Sequence, residues 1–161
     1  MGQPRHPRIK PLTVKSLLTG KPLETYTVDS NMPIREALQR MSDHDLGALV
    51  VVDDERLLGI ISQRSLIRQG LLADDFAPSQ PVSQVMTTDL VSASPLLEAQ
   101  DCLVLMDAER LDFIPVLEHD KVIGLLSISE LQRAIIAQYE SIFKAGELDQ
   151  RIMFLQGTYS C

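Results

Sequence analysis

The chain has 161 residues, of which 45% are hydrophobic, 23% charged and 4% aromatic, the dimensions of one soluble domain or of two very small ones sharing a core. A chain this long buries enough surface to need no disulfide or metal staple, no apolar run approaches the ~18 residues of a membrane span, and 8 Gly with 9 Pro are too few for a disordered chain. The net charge of −7 is uneven: residues 1–15 hold Arg5, Arg8, Lys10 and Lys15 and no acid, so the rest is strongly acidic and repels phosphate backbones, which argues against a nucleic-acid binder.

Residues 1–12 read as a solvated basic arm. No apolar stretch follows them, so they are no signal peptide, and a cytoplasmic address is expected. Residues 25–28 are a short β-like segment. Ile34, Ala37, Leu38 and Met41 keep the spacing of a helix stripe, with Pro33 suited to the first turn. An apolar run over 48–52, a polar turn over 53–56 and a second run over 57–61 predict a hairpin. Ser62 then stands where a helix should start, followed by Leu66 and Ile67. Residues 73–81 form a linker in which Pro78 and Pro81 block helix continuation.

The pattern then begins again. Residues 90–93 are β-like, Ala99, Cys102, Leu103 and Met106 form a second stripe, runs over 113–117 and 122–126 predict a second hairpin, and Ser127 opens a helix through Leu131 and Ile135. Cys102 sits on its stripe as a small hydrophobe, and with only Cys161 as a companion it builds no disulfide framework. The apolar pattern continues through Ile136, Tyr139, Ile142 and Phe143, is interrupted at Gly146, and resumes at Leu148, Ile152, Met153 and Leu155. This predicts an amphipathic extension over 138–161 that packs on its own module or on a partner chain.

A shift of 65 positions lays one half on the other: Leu38 on Leu103, Met41 on Met106, Leu46 on Leu111, Val51 on Val116, Gly59 on Gly124, Ser62 on Ser127 and Leu66 on Leu131. Upstream, 14–20 corresponds to 82–88, with three extra residues in the first copy. Each copy is a β-α-β-β-α unit, the first over 13–72 and the second over 82–137. A single unit leaves a three-stranded sheet face and two helix stripes uncovered. The expected fold is therefore α+β, two units packed sheet to sheet about a pseudo-two-fold axis that relates Gly59 to Gly124, forming one folding module with a C-terminal helical extension.

These residues resemble a tandem pair of cystathionine-β-synthase (CBS) domains, the Bateman module. The resemblance rests on Val82-Ser83-Gln84-Val85-Met86-Thr87, on Phe113-Ile114-Pro115-Val116-Leu117, and on the run from Val122 through Gly124, Ser127 and Glu130 to Leu131; the first copy answers with 48–52 and with Leu58 to Leu66. It implies a non-catalytic regulatory module. Such pairs bind adenosine compounds (AMP, ADP, ATP or S-adenosylmethionine) in clefts between the repeats, and they commonly form homodimers. A Gly-apolar-apolar-Ser/Thr-x-x-Asp stretch holds ribose and phosphates in the family. Carried over, that stretch gives Gly59, Ser62 and Ser65 in the first copy and Gly124, Ser127 and Glu130 in the second, with Phe113 and Pro115 at pocket positions.

A serine at a helix start presents a hydroxyl beside unpaired backbone N–H groups, and a carboxylate one turn on can accept from both ribose hydroxyls. Glu130 keeps that acid with one more methylene and Ser65 lacks it, so the second copy's cleft is the expected ribose site, with one ligand per chain. Arg64, Arg68 and Arg133 are candidate phosphate partners, or solvated helix charges. Ser127 and Glu130 also spell a capping box, which satisfies helix donors with no ligand present. Phe113 suits stacking on adenine, core packing or plugging of the cleft. No histidine neighbours a nucleophile and no metal site or cofactor is expected. Two readings stand: an adenosine-nucleotide sensor, and a docking or dimerisation module with closed clefts that acts on a partner protein.

Overall fold

Two tight turns set the two hairpins. Asp54 and Glu55 (φ 49° and 69°) and His119 and Asp120 (φ 51° and 63°) adopt left-handed backbone, the geometry whose twist suits a two-residue hairpin loop. In the computed structural model, which describes residues 10–18, 20 and 22–157 and side chains as far as residue 146, they sit at matching places in the two halves. The first half runs β1 (Thr27–Asp29), α1 (Ile34–Asp43), β2 (Ala48–Asp53), β3 (Arg56–Ser62) and α2 (Gln63–Ser65), which widens into a π-helical stretch over Leu66–Leu71. The second runs α3 (Ala99–Ala108), β4 (Phe113–Glu118), β5 (Lys121–Ser127) and α4 (Ile128–Gly157).

The helix stripes bury as their spacing requires. Helix α1 buries Ile34, Ala37 and Met41, and α3 buries Ala99, Cys102 and Met106, the same three positions in each copy. The ladders repeat down to their irregularities, with a register shift after Val51 in β2 and after Val116 in β4.

The halves differ in their third strand. In the first, β1 pairs parallel to β2, and the Val50 N–H donates to the Tyr26 carbonyl at 2.7 Å. The expected strand over 90–93 is instead a single bridge between Ala93 and Val116. The cause is Pro115, which occupies the place of Val50 and has no N–H to give. Two further expectations give way. The first β-like segment starts later, after a 3-10 turn over Leu23–Thr25. Helix α4 passes through Gly146 without a break, so the extension and the second repeat's closing helix are one element. A glycine in a helix interior costs only about 1 kcal/mol relative to alanine, and a long helix absorbs it.

The opening segments are exchanged. Val14, at the opening of the first repeat, packs in the core of the second with Ala99, Met106, Ile114 and Leu126. Val82 and Val85, at the opening of the second, pack in the core of the first with Ile34, Leu49 and Ile61. The hydrogen bonds match: Val14 N–H to the Leu97 carbonyl and Ala99 N–H to Leu12 on one side, Val82 N–H to Met32 and Ile34 N–H to Gln80 on the other. The glycines of β3 and β5 serve this arrangement. A Cβ at Gly59 would lie 2.6 Å from Met86 Sδ, and one at Gly124 would lie 2.6 Å from Leu18 Cδ2. A third core joins the sheets, with Tyr26, Ala48, Val50 and Ile60 from the first half against Val122 and Leu125 from the second. The Val122 N–H donates to the Glu55 carbonyl, and Lys121 pairs with Glu55 at 3.0 Å.

Because each core borrows a segment from the other half, fragments 1–77 and 78–161 should each lack a cooperative unfolding transition by circular dichroism, and an equimolar mixture should regain one. Gly59→Ala should destabilise the chain by about 1–3 kcal/mol in urea titration. Gly124→Ala should cost less, because Leu18 can shift its side chain, whereas Gly59 also faces the Thr87 backbone carbonyl at 2.9 Å.

Candidate functional site: a cleft between the repeats

Each helix start that follows a hairpin is capped by a serine, and the two caps use it differently. Ser62 Oγ accepts from the Ser65 N–H at 3.2 Å, while Ser65 Oγ accepts from the Ser62 N–H at 2.8 Å and donates to the Ser62 carbonyl at 3.0 Å. Ser65 thus takes the part that glutamate plays in a capping box, and it is buried. In the second copy Ser127 Oγ accepts from the Glu130 N–H at 3.1 Å, so the half of the box made by Ser127 forms there.

Beside α2 lies a cleft of about 370 Å³ whose walls come from both halves. Ile60, Ser62, Arg64, Ser65 and Arg68 line it from the first repeat; Thr87, residues 89–91 and residues 109–113 line it from the second. Its base is apolar. The Phe113 ring covers Gly47 so closely that a Cβ there would collide with it, and Phe113 also packs against the inter-sheet core. Its mouth is charged, with Arg64, Arg68 and Arg110 against Asp89, Glu109 and Asp112. Arg64 reaches across: Nη1 donates to the Arg110 carbonyl at 3.2 Å, and Nη2 lies 3.2 Å from Asp112 Oδ2. The π-helical stretch brings the adjacent pair Arg68 and Gln69 to the same wall.

The pseudo-symmetric space in the second copy is about 60 Å³, lined by Leu17, Leu18, Leu23, Tyr26, Gly124 and Glu130 among others. Leu18 sits on Gly124, and Tyr26 stands where the larger cleft has the smaller Val91. The three residues that only the first copy has lie between Leu18 and Tyr26, and the chain there contributes Leu23 to the filling.

The candidate residues therefore divide. Ser62, Arg64, Ser65, Arg68 and Phe113 share the larger cleft, and Gly124 and Glu130 face the smaller one. Gly59 is covered by Met86, and Pro115 lies buried within β4. Ser127 caps α4, and Arg133 lies on its exposed side with Nε 3.4 Å from the Ser129 carbonyl. Sequence reasoning missed Asp89, Glu109, Arg110 and Asp112. Their signal was the duplication itself, because a two-fold arrangement lays the loop of one repeat over the helix start of the other. The basic arm lies almost wholly outside the described residues.

A family profile for the CBS domain matches residues 14–71 and again 82–137. The chain belongs to the CBS domain family. As a pair of such domains it is a regulatory module. It is 29% identical over 119 residues to the CBS domain-containing protein YhcV of Bacillus subtilis, covering 74% of this chain and 82% of that one. Among solved structures it resembles the CBS-domain containing protein ATU1752 from Agrobacterium tumefaciens, with a TM-score of 0.66 and 31% identity over 76% of this chain and 98% of that chain. The CBS domain pair of protein MJ0100, solved in complex with 5'-methylthioadenosine and S-adenosyl-L-methionine, shares the fold, with a TM-score of 0.68 at 22% identity over 80% of this chain and 99% of that chain. Among the described residues no helix is long and apolar enough to cross a membrane.

Outside the cleft, Cys102 is packed in the core of the second CBS repeat, and burial pushes its thiol up from its ordinary value. Peptide mapping after iodoacetamide treatment should find Cys102 unmodified in the native chain and modified in urea. In the folded state the thiol holds its proton to higher pH than in the unfolded state. Its effect is neutral below the ordinary thiol value, and stability should fall as pH rises beyond about 9.

Proposed function

We propose that this CBS pair is a non-catalytic sensor that takes one adenosine nucleotide per chain in the larger cleft and reports it through the relative placement of the repeats. The observation that carries this reading is a cleft of about 370 Å³, walled by both repeats, with an apolar base and an arginine-bearing mouth. That volume lies in the range of small-molecule sites. Ile60, Leu90, Val91 and Phe113 offer surface to a planar base, and Arg64, Arg68 and Arg110 offer guanidinium groups to phosphate. The adenosine compounds named for the MJ0100 pair support this choice of ligand class.

This reading moves the expected site from the second copy to the first. There the binding logic differs from the one expected for an acid one turn into a helix. Ser65 is spent on its cap, which also engages the Ser62 and Ser65 N–H groups, so the anionic part of the ligand falls to the arginines. A ligand that signals must bind two arrangements of the repeats unequally, and a cleft with walls from both meets that condition.

Thermal unfolding with AMP, ADP, ATP and S-adenosylmethionine tests the proposal. At 100 times Kd a bound nucleotide adds about 2.7 kcal/mol, roughly 5–10 °C in Tm at this length. Arg68→Ala should reduce the shift, and titration calorimetry should give one site per chain. Absence of a shift with every adenosine compound at millimolar concentration would refute the reading.

A second reading, assembly as a homodimer, is favoured by α4. Ile136, Tyr139, Ile142 and Phe143 are exposed along it, and Gln100 on α3 bonds to the Tyr139 hydroxyl, which holds the stripe in place. A second copy of the chain is the occupant this apolar stripe suits. Sedimentation of a variant lacking residues 140–161 should show a monomer where the full chain is dimeric; an unchanged assembly state would exclude α4 as the contact.

A further inference from the structure

We infer that the Arg64–Asp112 pair sets the charge preference of the larger cleft and acts as an exchangeable tie between the repeats, which a phosphate group releases by taking Arg64 for itself. This rests on the nucleotide reading for its natural ligand, though not for its test.

Arg64 belongs to α2 of the first repeat, and both groups it holds belong to the loop 109–112 of the second. The tie thus crosses the cleft at its mouth, where an anionic ligand would enter. Its two side chains are 52% and 56% exposed, and an ion pair in that setting contributes little and dissociates readily. A phosphate carries more charge than the Asp112 carboxylate and accepts the planar guanidinium fork in two parallel bonds, so it competes well for the same group. Arg110 holds a left-handed backbone (φ 54°) within that loop, a conformation that a non-glycine residue keeps at a cost, and its carbonyl is one of the two groups that Arg64 grips. Losing Arg64 therefore removes two contacts from a loop that has a reason to relax. While the tie is made, the Asp112 carboxylate repels an incoming anion and detains its best partner. Asp112 is thus the residue that weakens anion binding, and Arg64 is the one that converts binding into movement of the second repeat's wall.

The test uses the full chain, its D112N and R64Q variants, and three probes: inorganic pyrophosphate, ATP and uncharged adenosine. Calorimetry should show pyrophosphate and ATP binding about two- to fivefold more tightly to D112N than to the natural chain, the size expected for removing a half-exposed ion pair. Adenosine should bind the two alike. R64Q should lose the advantage of ATP over adenosine. Hydrogen exchange of the amides at 109–112 should quicken on pyrophosphate addition in the natural chain and be already fast, with no response, in R64Q. Unchanged pyrophosphate affinity in D112N, an equal gain for adenosine, or no binding of pyrophosphate at all would overturn the tie. Adenosine binding that survives such a result would leave the nucleotide reading standing, whereas pyrophosphate binding without any adenosine compound binding would sustain the tie and refute that reading.

Discussion

The structure depends on one exchange. Val14 and Val82 each leave their own repeat and enter the core of the other, fully buried in both cases and fixed by the same pair of backbone hydrogen bonds. Neither repeat has a finished interior without the strip of chain that opens its twin. The inter-sheet core of Tyr26, Val50, Ile60, Val122 and Leu125 adds a face-to-face contact, but the crossed segments turn two adjacent units into a single cooperative one. They also explain the paired glycines. Gly59 and Gly124 give Met86 and Leu18 room to lie flat on β3 and β5. Their recurrence at one spacing is a packing requirement before it is anything else.

From that exchange follows the placement of the clefts. Crossing the opening segments brings Thr87, Asp89, Leu90 and Val91 beside α2 of the first repeat and Leu17, Leu18, Leu23 and Tyr26 beside the start of α4. The two spaces are equivalent by pseudo-symmetry and unequal in content. Leucines and Tyr26 close one; Val91 and a ring lying on Gly47 leave the other open. Bulkier side chains and the three extra residues of the first copy, which bring in Leu23, together make the difference. The open cleft then takes its character from what surrounds it: apolar inside, where the sheets meet, and charged outside, where a loop of one repeat faces a helix of the other.

Much of this was legible in the sequence. The helix stripes at Ile34 and Ala99, the two hairpins and the serine helix starts follow from periodicity and turn chemistry, which are local signals. The misreadings share a physical character. The third strand of the second repeat fails because Pro115, on a neighbouring strand, withholds a donor, and a pattern search along residues 90–93 does not see it. The exchange of Val14 and Val82 was hidden because periodicity says that a residue is buried, not in which half. The motif in each repeat points to Ser62, Arg64 and Arg68, which line the larger cleft, and to Glu130, which faces the smaller one. The space available there is decided by Leu18, Leu23 and Tyr26, which are distant in sequence and carry no motif.

The inequality of the two spaces bears on how such a chain responds to any small molecule its open cleft admits. When one cleft of the pair takes the ligand, a lone chain fills along a simple hyperbola, and passing from one-tenth to nine-tenths full takes about an eighty-fold rise in concentration. Sharper behaviour has to come from coupling between chains. Leucine and tyrosine in the other space leave a lone chain of this build one cleft of the pair to fill, which makes a dial rather than a switch.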